Sequence, residues 1–249
     1  MKFIAPLTVA LSMSAGVAMG QTDVTSRVSP ALSHYNSSVV EEDVWQRHDL
    51  SARDRSVVTV ATLIARQQTA LMPQEFSRAL ENGVTPAEMS EIVTHLAFYS
   101  GRGNAAAAAE ALAPIFEAQG VAADSLPGAD VDLLPLDMEA ESAREENVQA
   151  NHAETAIGVV DYTRETLFRD LWLRPDLAPR DRSLITVTAL VASGQSEQVP
   201  FHLGRAMDNG LTRDEASEAL TQLAFYAGWP RVFSAMPVFR NVFDDRAAD

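Results

Sequence analysis

The sequence predicts an all-α protein made of two tandem copies of one helical domain. Three observations carry that prediction: an internal repeat, helix start and stop signals at matching places in both copies, and long apolar runs free of turn residues. The repeat comes first, because missed self-similarity misreads a whole fold. Asp49-Leu50-Ser51-Ala52-Arg53-Asp54-Arg55-Ser56 returns as Asp176-Leu177-Ala178-Pro179-Arg180-Asp181-Arg182-Ser183. Arg78-Ala79-Leu80-Glu81-Asn82-Gly83-Val84-Thr85 returns as Arg205-Ala206-Met207-Asp208-Asn209-Gly210-Leu211-Thr212, and Leu96-Ala97-Phe98-Tyr99-Ser100-Gly101 as Leu223-Ala224-Phe225-Tyr226-Ala227-Gly228. The offset stays at about 127 residues and roughly half the positions agree, which chance does not supply.

The elements follow in chain order. Ser51 three residues before Asp54, and Pro179 in the second copy, start a helix at each Arg-Asp-Arg-Ser, because a side-chain oxygen satisfies a free N-terminal amide and proline needs no amide in the first turn. Val57 to Ala65 and Leu184 to Val191 then give broad apolar faces; their length and the caps favour a buried helix over a strand. Asn82-Gly83 and Asn209-Gly210 stop the next helix, since glycine accepts the positive φ of a helix C-terminus. Thr85-Pro86-Ala87-Glu88 and Thr212-Arg213-Asp214-Glu215 are capping boxes that open a third helix, ending at Tyr99-Ser100-Gly101 and Tyr226-Ala227-Gly228. Ala105 to Ala109 favours a tightly packed helix.

The expected organisation is a signal peptide over 1–20, a first repeat over 21–118, a linker over 119–137 and a second repeat over 138–249. The linker rests on Gly120, Pro127, Gly128 and Pro135 among aspartates. The leader rests on Met1-Lys2, an apolar stretch to Met19, and Ala18 and Gly20 at the positions a signal peptidase reads. Export, to a periplasm, is therefore expected, with no membrane span after cleavage. A formal charge of -15 opposes binding to phosphate backbones, so nucleic acid is not an expected partner. The chain has no cysteine; thiol chemistry and thiolate metal sites are excluded, and stability must come from packing and assembly.

The motifs of repeat two, from Arg180-Asp181-Arg182-Ser183 through Glu197 and Phe201-His202-Leu203 to Phe225-Tyr226-Ala227-Gly228-Trp229-Pro230, resemble the carboxymuconolactone decarboxylase family, whose all-helical domain is shared with alkyl-hydroperoxidase D proteins. The redox branch of that superfamily uses Cys-x-x-Cys-x-x-x-His; Gln195 and Gln198 stand at the thiol positions here, and a carboxamide forms neither thiolate nor disulfide. The peroxidase reading is thereby disfavoured. The resemblance implies instead a lyase that needs no cofactor and no metal, acting on a small carboxylated lactone or enolisable acid. Loss of carbon dioxide leaves electrons that delocalise onto a carbonyl, so such a site needs a cation for carboxylate, a donor facing the developing oxyanion and a proton source.

The candidate catalytic residues are His202, Glu197 and Arg182, with Tyr226, Gln198, Gln222, Trp229 and His95 as candidates for substrate binding. Each has a bland alternative: Arg182 and Arg55 as internally paired cations, Tyr226 and Tyr99 as core aromatics, Trp229 as a packing anchor, Glu197 as a solvated residue and His95 as a satisfied core histidine. The copies differ where chemistry would sit. Glu197, Phe201 and His202 align with Ala70, Gln74 and Glu75, so repeat one is expected to be degenerate, while His95 at the position of Gln222 lets repeat one lend a polar group to a shared pocket. The competing function is a non-catalytic exported binding or assembly protein. Convergence of His202, Arg182 and Glu197 on one enclosed pocket favours the enzyme, dispersal the binder. The family's rings further imply a homo-oligomer, a trimer of tandem chains forming a pseudo-hexamer.

Overall fold

A computed structural model describes residues 24–248; the expected signal peptide lies outside the described residues. All regular elements among these residues are helical. Repeat one is introduced by α1 (Pro30–Tyr35), a π-helical continuation Asn36–Glu41 and a 3-10 turn Val44–Gln46, followed by α2 (Ala52–Ala65), α3 (Met72–Glu81), α4 (Pro86–Tyr99) and α5 (Arg102–Gln119). Repeat two follows the same plan: α6 (Met138–Tyr162), a π-helical Thr163–Phe168, a 3-10 turn Leu171–Leu173, then α7 (Pro179–Ser193), α8 (Val199–Asp208), α9 (Arg213–Ala227) and α10 (Trp229–Ala248).

The caps form as the sequence predicts. Ser51 Oγ accepts from the Asp54 amide at 3.0 Å. Thr85 with Glu88 and Thr212 with Glu215 each close a reciprocal capping box at the start of α4 and α9. Gly83 and Gly210 take φ of 93° and 100° just beyond α3 and α8, a conformation that costs any other residue steric strain.

Packing departs from two self-contained domains. α2 and α7 cross at the centre and are buried on nearly every face, from Asp54 to Ile64 and from Asp181 to Ala192. A helix apolar all round needs neighbours on all sides, and the other repeat supplies them. α4 lies against α7, α9 lies against α2, and one continuous hydrophobic core draws on both copies. The connecting segment is tied down as well: Leu134 N–H donates to Leu173 C=O, and Arg174 donates to the carbonyls of Gly128 and Ala129.

The Arg-Asp-Arg-Ser motifs hold this exchange together. Arg53 pairs with Asp181 at 2.7 Å and Arg180 with Asp54 at 2.8 Å. Arg55 reaches Glu218 of α9 at 2.8 Å, and Arg182 reaches Glu91 of α4 at 2.9 Å. Both Arg55 and Arg182 are fully buried, so each requires its carboxylate from the other repeat.

Candidate functional site

The packing of α4 on α7 and of α9 on α2 brings together two equivalent clusters of side chains, the first-half and second-half chambers, each drawn from both repeats and related by the internal duplication. In the second-half chamber α8 contributes His202 and Arg205, the turn after α6 contributes Phe168 and Trp172, and α4 contributes His95 and Tyr99. The His202 ring stacks on Trp172 at 5.5 Å and 10°, and meets Tyr99 edge-on at 5.5 Å. Trp172 Nε1 donates to the Tyr99 hydroxyl at 2.9 Å. The Arg205 guanidinium lies 4.4 Å from the Trp172 ring centre.

Two groups here are uncommitted. His202 is 9% exposed and its buried Nδ1 has no hydrogen-bond partner. Burial, reinforced by the Arg205 charge, lowers its pKa to about 4, so the ring is neutral at ordinary pH and able to accept a proton. Arg205 forms no ion pair among the described residues; burial lowers its pKa against the pull of Tyr99 and Glu141. Burial raises the Tyr99 pKa, which keeps its hydroxyl protonated.

His95 is committed. Thr186 Oγ1 spends its proton on the Arg182 carbonyl at 2.8 Å, so His95 Nε2, 2.8 Å away, must be the donor to Thr186. Its Nδ1 then accepts from Arg182 Nη1 at 3.3 Å. Burial beside Arg182 holds its pKa well below the ordinary value. Stacked on Tyr99 at 4.9 Å, His95 is a neutral brace that fixes that ring.

The first-half chamber has the same skeleton with other groups. Glu75 replaces His202, Arg78 matches Arg205 and lies 4.4 Å over Trp45, and Trp45 Nε1 donates to Tyr226 at 3.0 Å. Gln222 takes the place of His95, donating to Thr59 Oγ1 at 3.0 Å and accepting from Arg55 at 3.3 Å. Arg78 is paired with Glu41 at 2.8 Å and lies 3.6 Å from Glu75.

The candidates therefore separate. His202 and His95 share a chamber, whereas Tyr226 and Gln222 belong with Glu75. Arg182 is not at a cavity surface: it is fully buried, bonded to Glu91, to the Arg174 carbonyl and to His95. Glu197 and Gln198 are exposed on the turn Ser196–Gln198 that precedes α8. Trp229 is 50% exposed at the start of α10, 4.9 Å edge-on to Phe225 beside an apolar groove. His202, Arg182 and Glu197 thus do not converge. Arg205, Tyr99 and Trp172 are the residues that sequence reasoning passed over. The signal was present in part: Trp172 and Arg205 both repeat at the common offset, as Trp45 and Arg78. Among the described residues no group of three or more His, Asp or Glu side chains is placed to hold a metal ion.

Comparison with known proteins agrees with the duplication. The carboxymuconolactone decarboxylase family pattern matches twice, over residues 30–114 and 158–241. A 4-carboxymuconolactone decarboxylase of Acinetobacter baylyi is 37% identical over 76 residues, covering 30% of this chain and 57% of that protein. A nitrosuccinic acid decarboxylase of Metarhizium robertsii is 32% identical over 75 residues, covering 30% of this chain and 52% of that protein. The chain spans about half the length of the curated relatives it matches. With both repeats matched, together more than half its length, the chain belongs to the carboxymuconolactone decarboxylase family.

Proposed function

We propose that the second-half chamber catalyses decarboxylation of a small carboxylated lactone or enolisable acid, without an organic cofactor. The observation that carries this reading is Arg205, a largely buried guanidinium with no carboxylate of its own, placed over Trp172 on the helix that also carries the unpartnered His202. A desolvated, unpaired cation is costly unless a ligand anion completes it, and a substrate carboxylate is such an anion. Both relatives carry decarboxylase names, for 4-carboxymuconolactone and for nitrosuccinic acid, which share a carboxyl group near an electron-accepting function.

In this mechanism Arg205 orients the acid. The bond to the carboxyl carbon breaks, carbon dioxide leaves, and its electron pair delocalises onto the substrate's carbonyl or equivalent acceptor. The Tyr99 O–H, which accepts from Trp172 and has its own proton to give, stabilises that developing charge. Neutral His202 moves the proton that finally reaches carbon, taking it up from the incoming acid or from water and returning it. Arg182 and His95 act at one remove, by holding Tyr99 in place.

The test is carbon dioxide release from 4-carboxymuconolactone and from nitrosuccinic acid by the purified chain. Turnover lost in both His202→Ala and Arg205→Met, with the helical signal intact, supports the reading; unchanged turnover overturns it. A non-catalytic binder has one observation in its favour, the solvent exposure of Glu197, and predicts carboxylate binding at Arg205 without product.

Assembly belongs to the same proposal. Phe98, Trp229, Phe233 and Met236 are 53%, 50%, 61% and 47% exposed, and an apolar groove of about 370 Å³ runs along α10. Exposed apolar surface of this kind favours burial against another copy, and a closed trimer of tandem chains would provide it. Light scattering at micromolar concentration checks this: the mass of a single chain, persisting on concentration, removes the ring.

A further inference from the structure

The first-half chamber, which the duplication made and the proposed chemistry does not use, contains a built cavity. About 420 Å³ of space lies against Glu75, Arg78, Glu41 and Tyr226, with Val40, Leu71 and Phe225 as its apolar walls. Glu75 is 4% exposed and its Oε2 has no hydrogen-bond partner. Arg78 Nη1 stands 3.6 Å from that oxygen, close enough for an ion pair but too far for a hydrogen bond, so the oxygen has given up its solvation without a donor in return, which native interiors rarely permit.

The charges around this cavity are those of the other chamber reversed. There, one arginine stands without a carboxylate; here, two carboxylates, Glu41 and Glu75, surround one arginine, and Arg78 is hydrogen-bonded to Glu41 at 2.8 Å. We propose that the Glu75 cavity is a second ligand site, selective for a small primary ammonium carried on a short apolar group. The ammonium supplies the missing donor to Glu75 Oε2 and the missing positive charge, while Val40, Leu71 and Phe225 take the apolar tail. A carboxylate ligand meets two like charges and an arginine already occupied.

Binding is linked to pH through Glu75. The charged and titratable groups facing it are Arg78 from its own helix, Glu41 from the π-helical segment and Tyr226 from α9. Burial raises the Glu75 pKa to about 7, with Glu41 adding to the rise and Arg78 and Tyr226 opposing it. The ammonium requires the ionised carboxylate, so affinity rises about tenfold between about pH 6 and pH 8 for a group titrating near 7.

Calorimetric titration of the full chain with benzylamine, benzyl alcohol and phenylacetate tests the site. Benzylamine should bind, more tightly at the higher pH, and the other two should not. His202→Ala should leave benzylamine binding intact and Glu75→Gln should abolish it. Glu41→Gln, a change at a half-buried residue that leaves Glu75 in place, frees Arg78 from its hydrogen-bonded carboxylate and should weaken benzylamine while introducing phenylacetate binding, a gain that misfolding does not produce. Benzyl alcohol or phenylacetate binding as tightly as benzylamine, or benzylamine binding unaffected by both glutamate changes, would overturn the proposal. So would no detectable binding of benzylamine.

Discussion

His202 and Glu75 occupy matching positions and should impose opposite pH dependences on stability in the same window. Burial lowers the His202 pKa from 6.5 to about 4. Between these values the unfolded imidazole takes up a proton and the folded one does not, so its contribution is complete above pH 6.5 and is lost as pH falls to about 4. Burial raises the Glu75 pKa from 4.5 to about 7. Here the folded carboxyl keeps its proton longer than the unfolded one, so its contribution is complete below pH 4.5 and is lost as pH rises through about 7. Each shift corresponds to about 3 kcal/mol, or about 1.4 kcal/mol per pH unit within the window. The two slopes cancel in the parent chain. Substitution of either residue unmasks the other: relative to the parent, His202→Gln becomes less stable as pH rises from about 4 to 6.5, and Glu75→Gln becomes more stable as pH rises from about 4.5 to 7. Urea unfolding followed by helical circular dichroism, at half-unit steps of pH, reads both difference curves, in which the remaining titrating groups cancel. Flat curves, or curves of the same sign, would refute the assignment of these two groups as buried in their neutral forms, one without its proton and one with it.

Three further outcomes follow from the same contacts. Glu91 accepts from both Arg174 and Arg182 inside the protein, so Glu91→Ala should cost about 3–5 kcal/mol in the same unfolding assay. Glu218→Ala should cost less, because one of its partners, Arg47, is 42% exposed and can turn to water; an equal or reversed order would contradict the burial difference. Arg205→Met should lower kcat/KM for decarboxylation about 10- to 100-fold, the worth of one hydrogen bond to a charged group, with Arg205→Lys recovering part of it; equal losses in the two variants would remove the charge from the explanation. Phe168→Glu introduces at the second chamber the carboxylate that Glu41 provides at the first, and should suppress turnover by occupying Arg205 while the His202 side chain remains; full activity in that variant would show that Arg205 does not hold the substrate.

Helices and their ends were legible because they are written locally. Thr85 and Glu88 cap α4 whatever α4 packs against, and Gly83 permits its turn in any context. Partner choice is not local. The repeat established that α4 and α9 are equivalent, but nothing in their apolar patterns distinguishes packing on the helix of the same copy from packing on that of the other. For the same reason Tyr226, close to His202 in the sequence, stands beside Glu75, whereas Tyr99, about a hundred residues away, stands against His202. Arg182 was identifiable as a cation requiring a partner, and Glu91 is that partner. Arg205 was harder to recognise because its significance lies in a missing partner: Phe168 and His202 occupy the positions at which the first copy has Glu41 and Glu75.

That last comparison explains what fusion of the copies makes possible. If two identical chains exchanged these helices, symmetry would give both chambers the same residues, and any substitution would alter both. In one chain the equivalent positions vary independently, so Glu41 and Glu75 can neutralise Arg78 while Phe168 and His202 leave Arg205 unpaired. The shared skeleton imposes a condition on that divergence. Arg55 with Glu218, and Arg182 with Glu91, hold the copies together, and loss of either carboxylate would strand a fully buried arginine whichever chamber it serves. The freedom to diverge therefore lies in the groups that face the cavities, and the constraint in the ion pairs behind them. This is the pattern the two copies show: Glu91 and Glu218 are identical, as are Arg55 and Arg182, whereas Glu41, Glu75 and Gln222 each differ from their counterparts, Phe168, His202 and His95.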